Sequence, residues 1–196
     1  MKGFKPMTLK EKMAAGLIYT DLDSPELAAE HRHCLEILHE FNQSAPGEVK
    51  LRTKLLQKIL GSCPEDFWIE PPLRCSYGYN TFIGNHFYAN YNLTIIDDVK
   101  VEIGEHVLIA PNVVITSSGH PVHPDLRLHG GQFSRPIKIG NHVWLGANVV
   151  ILPGIEIGDN SVIGAGSIVT RNIPPNVVAV GNPCKILRPI TDTDKT

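Results

Sequence analysis

An excess of one charge sign is missing from this chain of 196 residues: 18 lysines and arginines face 20 aspartates and glutamates, for a formal net charge of -2. No overall basic field draws in nucleic acid or an anionic membrane, so any polyanionic ligand has to find local positive charge. No run of 18 apolar residues exists to form a membrane-spanning helix. Residues 1–22 hold no apolar stretch ahead of a small-residue cleavage site, and a cytoplasmic address is expected. The four cysteines, Cys34, Cys63, Cys75 and Cys184, never form a C-x-x-C pair, which removes zinc-ribbon spacing and favours reduced thiols over a disulfide frame.

What the chain does have is a period of six. Ile139, Leu145, Ile151, Ile157, Ile163 and Val169 stand six apart, with glycine after four of them, and Ile103, Ile109 and Ile115 keep the same step. Aliphatic residues also stand two before the repeat positions, at Val107, Val113, Val143, Val149 and Ile155. An amphipathic helix or a lone hairpin has a different period. Short strands that turn alternate side chains into a shared core, coil after coil, do give six, so a mainly β hexapeptide solenoid, a parallel β-helix, is expected. Strand alternation then points Trp144, between inward Val143 and Leu145, outward, and the same outward set holds Leu108, Val114, Val150 and Val162. Such an aliphatic strip is unlike the surface of a monomer.

Before the repeats the punctuation is helical. Ser24 can cap and Pro25 can open a helix carrying Leu27, Cys34, Leu38 and Phe41 on one stripe, with His31, His33 and His39 on its surface. A second helix fits Pro46 to Leu60, with Gly61 where a C-terminal cap belongs, and a short one fits Lys10 to Tyr19. The expected organisation is a helical cap over 1–62, a solenoid over 63–187 and a polar, frayed tail over 188–196.

Nine histidines invite a metal reading. His86, His106 and His142 each stand three after a repeat aliphatic residue, where the next coil has Asn160. A place that accepts His or Asn is most simply a turn with left-handed backbone angles. His120, His123 and His129 remain, inside a segment over 116–135 that interrupts the repeat. Long interruptions of a compact scaffold are functional or disordered. Gly119 and Pro121 flank His120 and fix its local path. The residues alone leave it open whether that imidazole is aimed at a partner or is an ordinary exposed loop side chain.

Several stretches together resemble one family: Phe87-Tyr88-Ala89-Asn90, Asn92-Leu93-Thr94-Ile95, Leu108-Ile109-Ala110-Pro111-Asn112-Val113, Gly119-His120-Pro121-Val122-His123 and Ile163 to Thr170. From Met7 to Lys195 the chain is similar to the hexapeptide-repeat galactoside and maltose O-acetyltransferases. The resemblance implies a left-handed parallel β-helix, a hand that strand-crossover rules would not supply. It implies a homotrimer with sites between subunits, and transfer of acetyl from acetyl-CoA to a sugar hydroxyl. His120 would be the general base, since an alcohol attacks a thioester only as its proton leaves. Asp21, Ser76 and Asp98 would hold the sugar, and Asn90, Trp144, Ala147, Ala165, Thr170, Arg171, Lys185 and Arg188 the coenzyme. No metal is expected.

The same residues also have plain structural readings: Asp21 and Asp98 suit turns, Ser76 a bend, the cations a solvated surface and Trp144 a packing contact. Relatives carry lysine where Arg171 stands, arginine where Lys185 stands and serine where Ala147 stands. Many also carry a loop glutamate before the proline that restarts the repeat, and here Gly130-Gly131-Gln132-Phe133 precede Pro136. If that acid orients the base in relatives, Asn90, a loop carbonyl or Asp125 must replace it. Two other classes compete: a carbonic-anhydrase-like metalloenzyme, which needs three converging nitrogen ligands, and a non-catalytic solenoid used for binding.

Overall fold

The computed structural model describes residues 6–195, so the first five residues of the helical segment expected over 1–62, and Thr196 of the tail, lie outside the described residues. The solenoid is a three-sided parallel β-helix preceded by helices. One face stacks strands Phe67–Ile69, Phe87–Ala89, Leu108–Ile109, Trp144–Leu145, Val162–Ile163 and Val177–Val180. The second stacks Leu73–Cys75, Leu93–Ile96, Val114–Thr116, Val150–Ile151 and Ile168–Val169, and the third Thr81–Ile83, Val101–Ile103, Ile137–Ile139 and Glu156–Ile157.

The hexapeptide period explains this arrangement: three hexapeptides make one coil, so Trp144 pairs with Val162 and Val150 with Ile168. The repeat aliphatic residues point inward and are fully buried, as at Leu145, Ile151 and Ile163, all 0% exposed. The outward set expected as one column is split, because a coil has three faces rather than one. Leu108, Trp144 and Val162 share the first face, Val114 and Val150 the second. The turn reading of the histidines holds: His86, His106 and His142 have φ of 57, 54 and 56°, and Asn160 has 61°. Stacking of coils lays their rings on one another, with centroids 4.3 and 4.9 Å apart.

Early coils depart from eighteen residues. Thr81 pairs with Val101 and Leu73 with Leu93. The extra residues fall at the corner between second and third faces, where Ser76 to Asn80, Asp97 to Lys100 and then the interruption bulge outward in successive coils. That corner becomes the site described below. Asp97 anchors it from inside: 0% exposed, its carboxylate accepts from the Tyr77 amide at 2.9 Å and the Thr81 hydroxyl at 3.1 Å.

Helices α2 (Pro25–Gln43) and α3 (Val49–Ile59) close the open end of the first coil, while α1 (Leu9–Ala14) packs through Met13 with Tyr19, Leu27, Tyr77 and Val99 in a separate small cluster. An uncovered coil would expose both its core and a row of unpaired backbone groups. Cys34, Leu38, Phe41, Leu55, Leu56 and Ile59 join the solenoid core in one cluster. The Asn42 amide also bonds both the nitrogen and the carbonyl of Leu73, at 2.8 and 2.9 Å. Ser24 caps α2 by accepting from the Leu27 amide, with Pro25 in the first turn. α1 begins with a reciprocal cap between Thr8 and Glu11 and ends short of the expected Tyr19.

Gly61 is not the left-handed helix cap its position suggested. Its amide bonds the Thr81 carbonyl, and a Cβ there would lie 2.2 Å from the Tyr79 carbonyl oxygen, so close approach is what requires glycine. Nor are the described residues of the tail, 188–195, frayed: Lys185–Pro189 pairs antiparallel with Val177–Val180, and Arg188 makes a two-pronged ion pair with Asp194 at 2.8 and 2.6 Å. All four cysteines are free thiols, and no helix among the described residues is long and apolar enough to cross a membrane.

Candidate active site

The interruption is a folded hairpin. Phe133 and Ser134 pair antiparallel with Gly119 and Ser118, and a short helical turn, Pro124–Arg127, closes the far end, where Arg127 Nη1 donates to the Pro121 carbonyl at 2.9 Å. Gly131 is forced by packing, since a Cβ would lie 2.1 Å from the Leu126 carbonyl oxygen. This arrangement aims the Gly131 carbonyl at His120, whose Nδ1 lies 2.9 Å away. A carbonyl only accepts, so Nδ1 carries the proton and the neutral ring keeps its lone pair on Nε2. Of the three replacements for the missing loop acid, the backbone carbonyl is the one in contact. Asp125 lies 3.7 Å from His123, and the Asn90 side-chain Oδ1 accepts from the Tyr91 amide.

His120 lines a cleft of about 470 Å³ together with Asp21, Ser76 and Asp98, so the candidate base and all three sugar-binding candidates meet in one chain. They come from one corner of successive coils, Ser76 from the first, Asp98 from the second and His120 from the third, and the segment before α2 lays Asp21 over them. The cleft also holds His31, Ser118 and Gln132, which the sequence did not single out.

Two links hold the helical segment to the loop. Tyr19 and Gln132 exchange backbone hydrogen bonds at 2.9 and 2.7 Å, and Gln132 Nε2 donates to Asp21 Oδ1 at 2.6 Å. The buried Tyr19 hydroxyl donates to Asp98 Oδ2 at 3.0 Å and lies 2.7 Å from the Ser134 hydroxyl. Burial pushes the Asp98 carboxyl above the ordinary carboxylate range, while hydrogen bonds from Tyr19, Ser118 and Ser76 pull it back and the Asp21 charge pushes it up. Neither lysine nor arginine lines this cleft.

The coenzyme candidates lie elsewhere. Asn90, Ala147 and Ala165 follow first-face strands at the corner between first and second faces, where the Gly166 amide donates to the Ala147 carbonyl at 2.8 Å. Trp144 is 52% exposed on the first face between Leu108 and Val162. Thr170, Arg171 and Lys185 line a second hollow of about 500 Å³ with Cys184 and Ile186, whereas Arg188 is engaged by Asp194. No coenzyme candidate lines the His120 cleft. The histidines of the turns stack in parallel rather than converging, and no three His, Cys, Asp or Glu among the described residues are grouped to hold a metal ion.

Comparison with known proteins shows the family. Residues 12–64 match the maltose acetyltransferase hexapeptide capping motif, and residues 136–171 the bacterial transferase hexapeptide of six repeats. The chain is 52% identical to galactoside O-acetyltransferase of Escherichia coli over 189 residues, covering 96% of this chain and 93% of that protein. A solved galactoside acetyltransferase in complex with coenzyme A superposes with a TM-score of 0.94 at 52% identity, over 97% of this chain and 94% of that one. A maltose O-acetyltransferase structure from Clostridium difficile 630 gives 0.92 at 45% identity, over 95% and 99% of the two chains.

Proposed function

The chain belongs to the hexapeptide-repeat family of galactoside and maltose O-acetyltransferases and is an acetyl-CoA-dependent acyltransferase, and from that premise we propose that it acetylates a hydroxyl of a neutral sugar with His120 as the general base. The observation that carries this reading is the Nδ1 to Gly131 carbonyl bond, which leaves Nε2 as the proton acceptor beside Asp21, Ser76 and Asp98. As Nε2 takes the hydroxyl proton, the sugar oxygen attacks the thioester carbonyl carbon. The new C–O bond forms, the C–S bond breaks, and the imidazolium returns its proton to the departing thiolate, giving an acetyl ester and free coenzyme A. Transient negative charge on the carbonyl oxygen suits the Ala147 amide. Its neighbours Gly146 and Asn148 spend theirs on the Ile163 and Pro111 carbonyls.

Asn90, Trp144, Ala165, Thr170, Arg171, Lys185 and Arg188 are read as the coenzyme surface, with the three cations meeting its phosphates. In one chain this surface starts a corner away from His120. A homotrimer, in which one prism's corner faces the next prism's cleft, brings them together, and half-exposed Trp144 and Leu108 are the apolar surface it would cover. Light scattering of the purified protein is expected to give three times the chain mass of 21.6 kDa, and a monomeric mass at working concentration rules out the shared site.

Two carboxylates without a lysine or arginine set the acceptor charge. Incubated with acetyl-CoA, the protein is expected to release thiol with neutral galactosides, glucosides or maltose. Uronic acids and sugar phosphates should react at least about tenfold more slowly, from like-charge repulsion partly screened by solvent. Absence of thiol release with every neutral acceptor refutes the reaction, and preference for an anionic one refutes the charge assignment.

A further inference from the structure

We propose that His31 is a specificity-determining residue for the acceptor, its Nε2 accepting a hydrogen bond from a hydroxyl of the bound sugar. The inference rests on the acceptor cleft proposed above. His31 lies on α2, one turn after buried Leu27, and is exposed, as periodicity expects of a surface residue. Docking of α2 against the first coil makes the surface it faces the cleft that holds His120.

Two contacts fix the ring. Its Nδ1 lies 2.7 Å from the Ser76 carbonyl oxygen, and its edge packs on the Tyr77 ring at 5.9 Å with an interplanar angle of 72°. Because the carbonyl only accepts, Nδ1 carries the hydrogen and the neutral ring presents a bare Nε2, the same tautomer the Gly131 carbonyl imposes on His120. The cleft thus has two imidazoles of matching form. One is held by the loop beside the reacting hydroxyl, the other by the backbone of Ser76, itself a sugar-binding candidate.

The remaining polar groups show why a further acceptor is needed. Asp21 has one oxygen occupied by Gln132, and Asp98 already accepts from Tyr19, Ser118 and Ser76. A sugar presents several hydroxyl hydrogens on adjacent carbons, and each must find an acceptor on leaving water. Ring rigidity means that Nε2 is placed before the sugar arrives, so little side-chain entropy is lost on binding.

Steady-state kinetics with a neutral glycoside test this. His31→Leu keeps the bulk and loses both nitrogens, and is expected to raise the acceptor KM about five- to tenfold, the effect of one lost neutral hydrogen bond. Its kcat should stay within about twofold, because the base is untouched, and the KM for acetyl-CoA should not move. His31→Gln, which returns an acceptor near the Nε2 position, is expected to recover most of the acceptor KM. His31→Asn, which keeps the bond to the Ser76 carbonyl but lacks a distal acceptor, should behave like His31→Leu and carries the test if the leucine variant fails to fold. Equal acceptor KM in the wild type and the Leu and Asn variants overturns the proposal, as does equal impairment by Leu and Gln, which marks a packing role. Calorimetric titration of the glycoside without acetyl-CoA makes the same comparison in the absence of turnover. Lack of wild-type turnover refutes the acetyl-transfer reading, whereas unchanged glycoside affinity in His31→Leu refutes this one.

Discussion

Replacing His120 by alanine is expected to lower kcat for acetyl transfer about 10²- to 10⁴-fold, the usual contribution of a positioned general base. The reason lies in the competition for the hydroxyl proton: without Nε2 the sugar oxygen must attack as a neutral alcohol or lose its proton to water. His120 is exposed and its one recorded hydrogen bond goes to the Gly131 carbonyl, so the alanine variant should fold with little change in stability. Its affinity for the glycoside, which is assigned here to Asp21, Ser76 and Asp98, should change far less than kcat. Thiol release followed at saturating acetyl-CoA and acceptor gives the number. Retention of a third or more of wild-type kcat is incompatible with His120 as the base and would move attention to His31, the other imidazole in the cleft.

The second large effect is on stability. Burial raises the Asp97 carboxyl from 3.8 to about 6, against the pull of hydrogen bonds from the Tyr77 amide and the Thr81 hydroxyl. A carboxyl raised on folding holds its proton more tightly in the native state than in the unfolded chain. Its contribution is therefore most favourable below pH 3.8, falls as pH rises towards 6, and is constant above that. Over this window the loss is on the order of 3 kcal/mol, at about 1.4 kcal/mol per pH unit. Asp97→Asn keeps the shape and an oxygen for the Tyr77 amide, and its amide nitrogen can donate to the Thr81 hydroxyl. The variant should match the wild type near pH 4 and exceed it in stability by pH 7, with the gap opening between those values. Urea denaturation at fixed protein concentration measures the gap, and subtraction of the wild type cancels neighbours such as Asp98. A gap that does not change with pH would show that Asp97 titrates alike folded and unfolded.

Part of the cleft around His120 was legible before the fold was known, because its corner sits on a scaffold with a strict period. Once Ile95 and Ile115 are placed as inward residues of adjacent coils, Asp98 and Ser118 must fall near one another at the following corner. The loop histidine could be picked out by its flanking glycine and proline. Asp21, Ser76 and Asp98 were named only through resemblance, and the structure places them around His120. Tyr19, His31 and Gln132 carried no such signal. Tyr19 and Gln132 stand 113 positions apart and pair through backbone atoms, which any residue possesses. His31 enters the cleft through the docking of α2, whose apolar stripe says which side is buried but not which coil corner that side meets.

By itself the sequence determined the coil: which side chains point in, which positions turn with positive φ at His86, His106 and His142, and where the repeat yields to a loop with His120. These follow from local sterics and from a period that repeats identical packing every six residues. Only the tertiary structure decided that the Gly131 carbonyl orients the His120 ring, that Tyr19 and Gln132 join the helical segment to the loop, and that two imidazoles share one cleft. Those contacts join segments far apart in the chain through single hydrogen bonds, and a hydrogen bond has no period for a sequence to display.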